Sequence, residues 1–134
     1  MATPEQIRDT MPFAALAGIE LLETSAELVR GRLAWSPERC TAGGVMHGGA
    51  LMALADTCGG VCAYLNLPDG APGTSTIESK TNFLRAVREG AVTARTRRLH
   101  AGRTLIVLET ELACDDGSLA AKVIQTQAFH RPRG

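Results

Sequence analysis

Apolar residues run almost unbroken from Val45 to Leu67, while on either side of that stretch they are interrupted by polar residues every few positions. The continuous run is rich in alanine, leucine and methionine rather than β-branched residues, which favours a helix over a buried strand. Gly48 and Gly49 open it; Asn66, Pro68, Asp69 and Gly70 close it. Because it is apolar almost all round, it predicts a helix buried on nearly every side. One lone aspartate, Asp56, sits inside it.

Before this helix, Thr3-Pro4-Glu5-Gln6 has the form of a helix start, with Thr3 as cap, Pro4 at the first helical position and Gln6 three residues after the cap. That first helix is expected to end near Pro12. Two strands follow, Ile19 to Thr24 and Leu28 to Trp35, around a polar middle at Glu23 to Glu27, and then the loop SPERCTAGG. After the turn-rich NLPDGAPG come extended runs at Thr74 to Val87, Ala91 to His100, Arg103 to Cys114 and Leu119 to Phe129. Their breaks, REG, AG and DDGS, suit tight antiparallel turns. A buried helix flanked in sequence by strands on both sides requires a sheet that curves around it, hence an α+β fold.

At 134 residues the chain reads as one domain, 1–134, long enough for a substantial core. Its formal net charge is zero, which removes the charge excess of a nucleic-acid-binding protein, so a small-molecule partner is expected. No basic start precedes an apolar segment at the N-terminus, and no apolar run approaches the ~20 residues of a bilayer span. The expectation is a cytoplasmic protein without membrane contact. Cys40, Cys58, Cys62 and Cys114 form no CxxC pair, so they read as reduced, buried small hydrophobes rather than disulfides or a metal site.

Chemistry gathers at MHGGALMALAD. Amides at the start of a helix lack intrahelical acceptors and sit at the positive end of its dipole, so Gly48 or Gly49 can hold a carbonyl oxygen that becomes an oxyanion. His47 can orient that loop or the ligand. A buried carboxylate is costly unless it is hydrogen-bonded or useful, and Asp56 is a candidate base. The plain alternatives are a glycine start chosen for packing and a structural aspartate. Asp56 lies eight residues beyond Gly48, about 12 Å along the helix axis, too far to act on a carbonyl held at its own helix start. A second chain running antiparallel across a two-fold axis could supply it, which suggests a dimer with composite sites. Serine chemistry lacks its GxSxG elbow, and no cysteine has a recognisable histidine partner.

HGG, the aspartate nine residues after the histidine, and TSTIESKTNFLRAVREG together resemble the hotdog-fold thioesterases of the phenylacetate-pathway (PaaI-like) and hydroxybenzoyl-CoA branch. The likeness runs from Ala17 through the last strand. It implies a curved antiparallel sheet around one long helix, edge-to-edge homodimers that often pair into tetramers, and hydrolysis of an acyl-CoA thioester with no cofactor beyond the coenzyme A of the substrate. By position, Gly48 or Gly49 would polarise the carbonyl, Asp56 of the partner would activate water or attack directly, and Thr76 would help hold that water. Thr41 stands where family members often carry Asn or Gln, and Ala86 replaces a common proline.

Arginines 85, 88, 95, 97, 98 and 103 crowd the second half of a neutral chain. A solvated strand face accounts for most; Arg85 and Arg103, with their neighbours Asn82 and Gly102, are the candidate contacts to CoA phosphates. Leu51, Met52 or Leu54 could line an acyl pocket for aryl or medium aliphatic groups. A noncatalytic acyl-ligand binding protein and a hotdog hydratase or dehydratase remain open alternatives on the same fold.

Overall fold

The computed structural model describes residues 1–132. Helices α1 (Pro4–Asp9) and α2 (Pro12–Ala17) lead into strands β1 (Glu20–Thr24) and β2 (Val29–Ala34). The long helix α3 (Gly48–Leu65) follows, then β3 (Thr74–Phe83), β4 (Ala91–Ala101), β5 (Leu105–Cys114) and β6 (Leu119–Phe129). The six strands form one sheet in the order β1-β2-β4-β5-β6-β3, every pair antiparallel. Helix α3 touches every strand of this sheet, which curves around it in the hotdog arrangement.

The capping box forms as expected: the Gln6 amide donates to Thr3 Oγ1 at 3.1 Å, and the Thr3 amide donates to Gln6 Oε1 at 2.9 Å. Pro12 does not close the first helix, however; it opens a second, at the first-turn position where a missing N–H costs nothing. Strand β3 also ends earlier than expected, at Phe83 rather than Val87. The Leu84 and Arg85 amides both turn onto the Ala120 carbonyl, at 2.8 and 3.1 Å, and leave the ladder. The chain then dips so that buried Val87 accepts from the Met46 amide at 2.8 Å, seating the start of α3.

Glycines set how closely α3 approaches the sheet. A Cβ at Gly31 in β2 would lie 2.6 Å from Cys58 Sγ and 3.2 Å from Leu54 Cδ1, and one at Gly59 would lie 2.2 Å from Gln125 Oε1 of β6. Leu51, Leu54, Ala55, Cys58 and Cys62 fill the space between. The outer side of the helix is not buried: Met52, Asp56 and Tyr64 are exposed. An apolar composition all round therefore did not mean burial all round. By length and composition α3, at 18 residues and mean hydropathy 1.3, is long enough and apolar enough to cross a bilayer, contrary to the reading of the sequence. Here it forms the core of the domain, with the sheet against its inner face.

Gly31→Ala is expected to destabilise the fold by about 1–3 kcal/mol, since neither the Cys58 sulfur nor the backbone can give way freely. Chemical denaturation against the parent chain measures it.

Candidate active site

The start of α3 is arranged around two glycines with different tasks. His47 is the N-cap, and its Nδ1 accepts the Gly49 amide at 2.7 Å. A side chain at Gly49 would meet that ring at 2.9 Å, so the glycine is required by the cap. Of the two amides proposed from sequence, Gly49 is thus already engaged, whereas Gly48 has no acceptor among the described residues. The Phe83 ring lies over Gly48, where a Cβ would approach it to 3.1 Å. The free N–H therefore sits in an aromatic-walled, partly exposed corner.

Asp56 occupies the outward stripe of α3 and is exposed in the single chain, which corrects the expectation of a buried carboxylate. Thr76 Oγ1 donates to Asp56 Oδ1 at 3.4 Å, and Gln127 Nε2 donates to Thr76 Oγ1 at 2.9 Å. The single hydroxyl hydrogen of Thr74 is shared between Gln127 Oε1 at 3.0 Å and the Ala128 carbonyl at 2.9 Å. Gln127 is buried, so this chain of donors fixes the threonine that meets the acid. Sequence reasoning missed Gln127 and Thr74. The signal was a strand, VIQTQAF, with two glutamines on the same face as Val123 and Phe129.

A β-bulge between Thr76 and Glu78 connects the two halves of the site. Before the bulge the even-numbered residues Thr74 and Thr76 face α3; after it the odd-numbered residues do, so Phe83 faces α3 as well. Without the extra residue, Thr76 and Phe83 would lie on opposite faces. Between Asp56 and α1 opens a groove of about 1020 Å³. Ile7, Met11, Val61, Tyr64 and Leu65 make its walls apolar. Leu51 and Leu54, suggested from sequence as pocket residues, are instead core, and Met52 is exposed on the outer stripe.

The proposed phosphate contacts do not meet within one chain. Arg85 and Asn82 lie at the Phe83 end of β3, while Gly102 and Arg103 lie in the β4–β5 turn at the Thr74 end. Asn82, Arg85 and Arg103 are all exposed. Thr41, also exposed, donates its amide to the Val45 carbonyl at 2.8 Å in the loop before α3. Arg98 is structural: it donates to Asn66 Oδ1 at 2.5 Å, bracing the C-terminal end of α3. Arg95 and Arg97 stand opposite Glu111 and Glu109 in the β4–β5 register on a solvated charged face, where Glu109 is bridged by Lys122 at 2.8 Å.

All four cysteines are free; Cys58 and Cys62 are buried, but Cys40 and Cys114 only half-buried. Burial, helped by neighbouring Cys62, pushes the Cys58 thiol up to about 12. Burial also pushes Cys62 up to about 11, with Arg98 opposing and Glu27 adding to the rise. Neither is a nucleophile near neutral pH.

The family model described as "Thioesterase superfamily" matches residues 43–121, more than half of the chain. PA1618 of Pseudomonas aeruginosa is 39% identical over 74 residues, 55% of this chain and 51% of that protein. The chain spans about half the length of the first curated relatives it matches. A crystal structure of a mutant of the PA1618 thioesterase superposes with a TM-score of 0.90 at 28% identity, covering 97% of this chain and 95% of that one. The thioesterase HI1161 of Haemophilus influenzae gives 0.89 at 26% identity, covering 98% and 92%. A hypothetical thioesterase protein of Streptococcus pneumoniae, solved with coenzyme A, shares the fold at 0.82 and 23% identity, covering 96% and 99%.

His47→Ala removes the cap acceptor and is expected to cost about 1 kcal/mol of stability, read by denaturant unfolding. The folded chain holds the Cys58 and Cys62 protons more tightly than the unfolded chain. Their contribution to stability is therefore complete below the ordinary thiol value of 9.0 and is lost as pH rises from there through about 11 and 12. Cys58→Ala should flatten the alkaline decline in folding free energy; an unchanged slope would refute this assignment.

Proposed function

The chain belongs to the thioesterase superfamily, and from that premise we propose that it hydrolyses an acyl-CoA thioester, with each active site shared between two copies of the chain. The observation that carries this reading is the pairing of a free amide at Gly48 with a carboxylate, Asp56, that meets a threonine anchored by buried Gln127 and opens onto a large apolar groove. Within one chain the two are about 12 Å apart along α3 and cannot act on the same carbonyl.

A two-fold axis resolves this separation. The midpoint of Gly48 and Asp56 on α3 is Met52, an exposed apolar side chain. On β3 the midpoint of Phe83 and Thr76 falls at Ser79 and Lys80, and β3 is an edge strand whose Ile77, Phe83 and nearby Leu84 are exposed. Pairing two such edges antiparallel extends the sheet and covers apolar surface. The same operation carries the Arg85 end of one chain to the Arg103 end of the other. The two arginines separated within a chain then flank one site, where they bind the phosphates of CoA. A fold relative solved with coenzyme A supports that choice of thiol.

In this site the thioester carbonyl oxygen accepts from the Gly48 amide. Asp56 of the partner takes a proton from water as the water oxygen bonds to the carbonyl carbon. The resulting oxyanion is held at the helix start until the carbon–sulfur bond breaks. The CoA thiolate leaves, taking a proton back from Asp56, and the free acid remains. Thr76, itself held by Gln127, donates to one carboxylate oxygen and leaves the other to accept. The pocket takes aryl or medium-length acyl groups.

Asp56→Asn is expected to keep the fold and lose about 10²–10⁴-fold in kcat for thiol release from acyl-CoA. Turnover within a few fold of the parent would sink the role of the acid and favour an acyl-CoA binding protein. Absorbance of an enoyl product in place of free thiol would favour a hydratase.

A further inference from the structure

Two adjacent glycines interrupt the middle of α3, and the fold explains only one of them. Gly59 lies against Gln125 and has no room for a side chain. At Gly60 a Cβ would meet nothing within 4 Å. Glycine inside a helix is less favourable than alanine, because it gives up more conformational freedom. An unforced glycine at this position therefore has a reason outside the packing of the chain.

That reason lies in what Gly60 faces. It lines the large groove one turn beyond Asp56, and Tyr64 lines the same groove one turn further on. Positions 56, 60 and 64 follow the i, i+4, i+8 stripe of one helix face, and Tyr64 stands about 12 Å along the axis from the acid. Val61, Leu65, Ile7 and Met11 make the channel apolar, and Asp56 is the only charged side chain among the described lining residues.

We propose that Gly60 is the specificity-determining residue of the acyl pocket. Its missing side chain leaves open a channel from Asp56 toward Tyr64, which takes an uncharged, unbranched acyl chain of medium length and ends it against the tyrosine ring. This rests on the thioesterase reading above for the identity of the ligand. It adds which acyl class fits and which residue decides it. A branched side chain at 60 would fill the channel one turn past the reacting carbonyl and leave room only for short acyl groups. Removing the ring at 64 would open the far end.

The test uses S-alkyl-CoA thioethers from ethyl to dodecyl, which bind without being hydrolysed, titrated by calorimetry into the parent chain, Gly60→Ala, Gly60→Leu and Tyr64→Ala. Parent affinity is expected to rise with chain length to a plateau. Gly60→Leu should bind the ethyl thioether as the parent does but lose about tenfold or more for octyl and longer, as when two or more buried methylenes are shut out. Tyr64→Ala should move the plateau to longer chains, and Gly60→Ala should unfold no more easily than the parent. A profile flat in chain length, one identical in all variants, or no binding of any thioether would overturn the proposal. So would a change of assembly state of Gly60→Leu in sedimentation, which would show that the glycine serves packing against a second copy. Thiol release by the parent chain is measured separately. Its absence alongside chain-length-dependent thioether binding would count against hydrolysis and not against the role of Gly60.

Discussion

The close approach of one helix to the inner face of a sheet is the constraint on which the rest of this structure depends. Two glycines permit it: Gly31 under Cys58 and Leu54, and Gly59 under Gln125. Once α3 is seated, its positions have fixed roles. The inner stripe becomes core, and the outer stripe, with Met52, Asp56, Gly60 and Tyr64, is left facing out of the chain. The start of the helix is fixed independently, by the His47 cap and by the Met46 amide on Val87. Scaffold and chemistry thus share the same residues, because the packing that orients the helix also aims its amide and its acid.

Much of the fold was readable in the residues because local rules and tertiary demands agreed. The capping box at Thr3 and Gln6, the last strand from Leu119 to Phe129, and the end of the long helix at Asn66 follow from propensity and turn chemistry alone. The misses have physical causes. Pro12 both ends and begins helices, and spacing does not say which. The burial of a uniformly apolar helix depends on how far the sheet wraps, which is a property of the whole fold. The bulge at Ile77 carries no glycine and no proline to announce it, yet it decides that Thr76 and Phe83 share a face.

The candidate site was legible in its HGG and its spaced acid, and less so in its supports. Nothing local marks Gln127 as the partner of Thr76, since the contact spans 51 positions and forms only when β6 lies beside β3. Sequence also left the choice between Gly48 and Gly49 open; the ring of His47 occupies the Gly49 amide, and the proposed site uses the other. The exposure of Asp56 changes the question the sequence raised. The single chain does not bury this carboxylate; it presents it beside the exposed edge strand β3.

The central claim, that amide and acid come from different chains, is tested most directly by mixing two inactive variants. Gly48→Pro removes the one N–H at a helix position where proline is tolerated, after a residue whose backbone (φ −59°, ψ 134°) already suits a following proline. Asp56→Ala removes the acid. Coexpressed and randomly assembled, the two should recover about a quarter of parent thiol release, because half of the dimers carry one intact site of two. Activity no greater than that of either variant alone would mean that both groups act within one chain, contradicting the account.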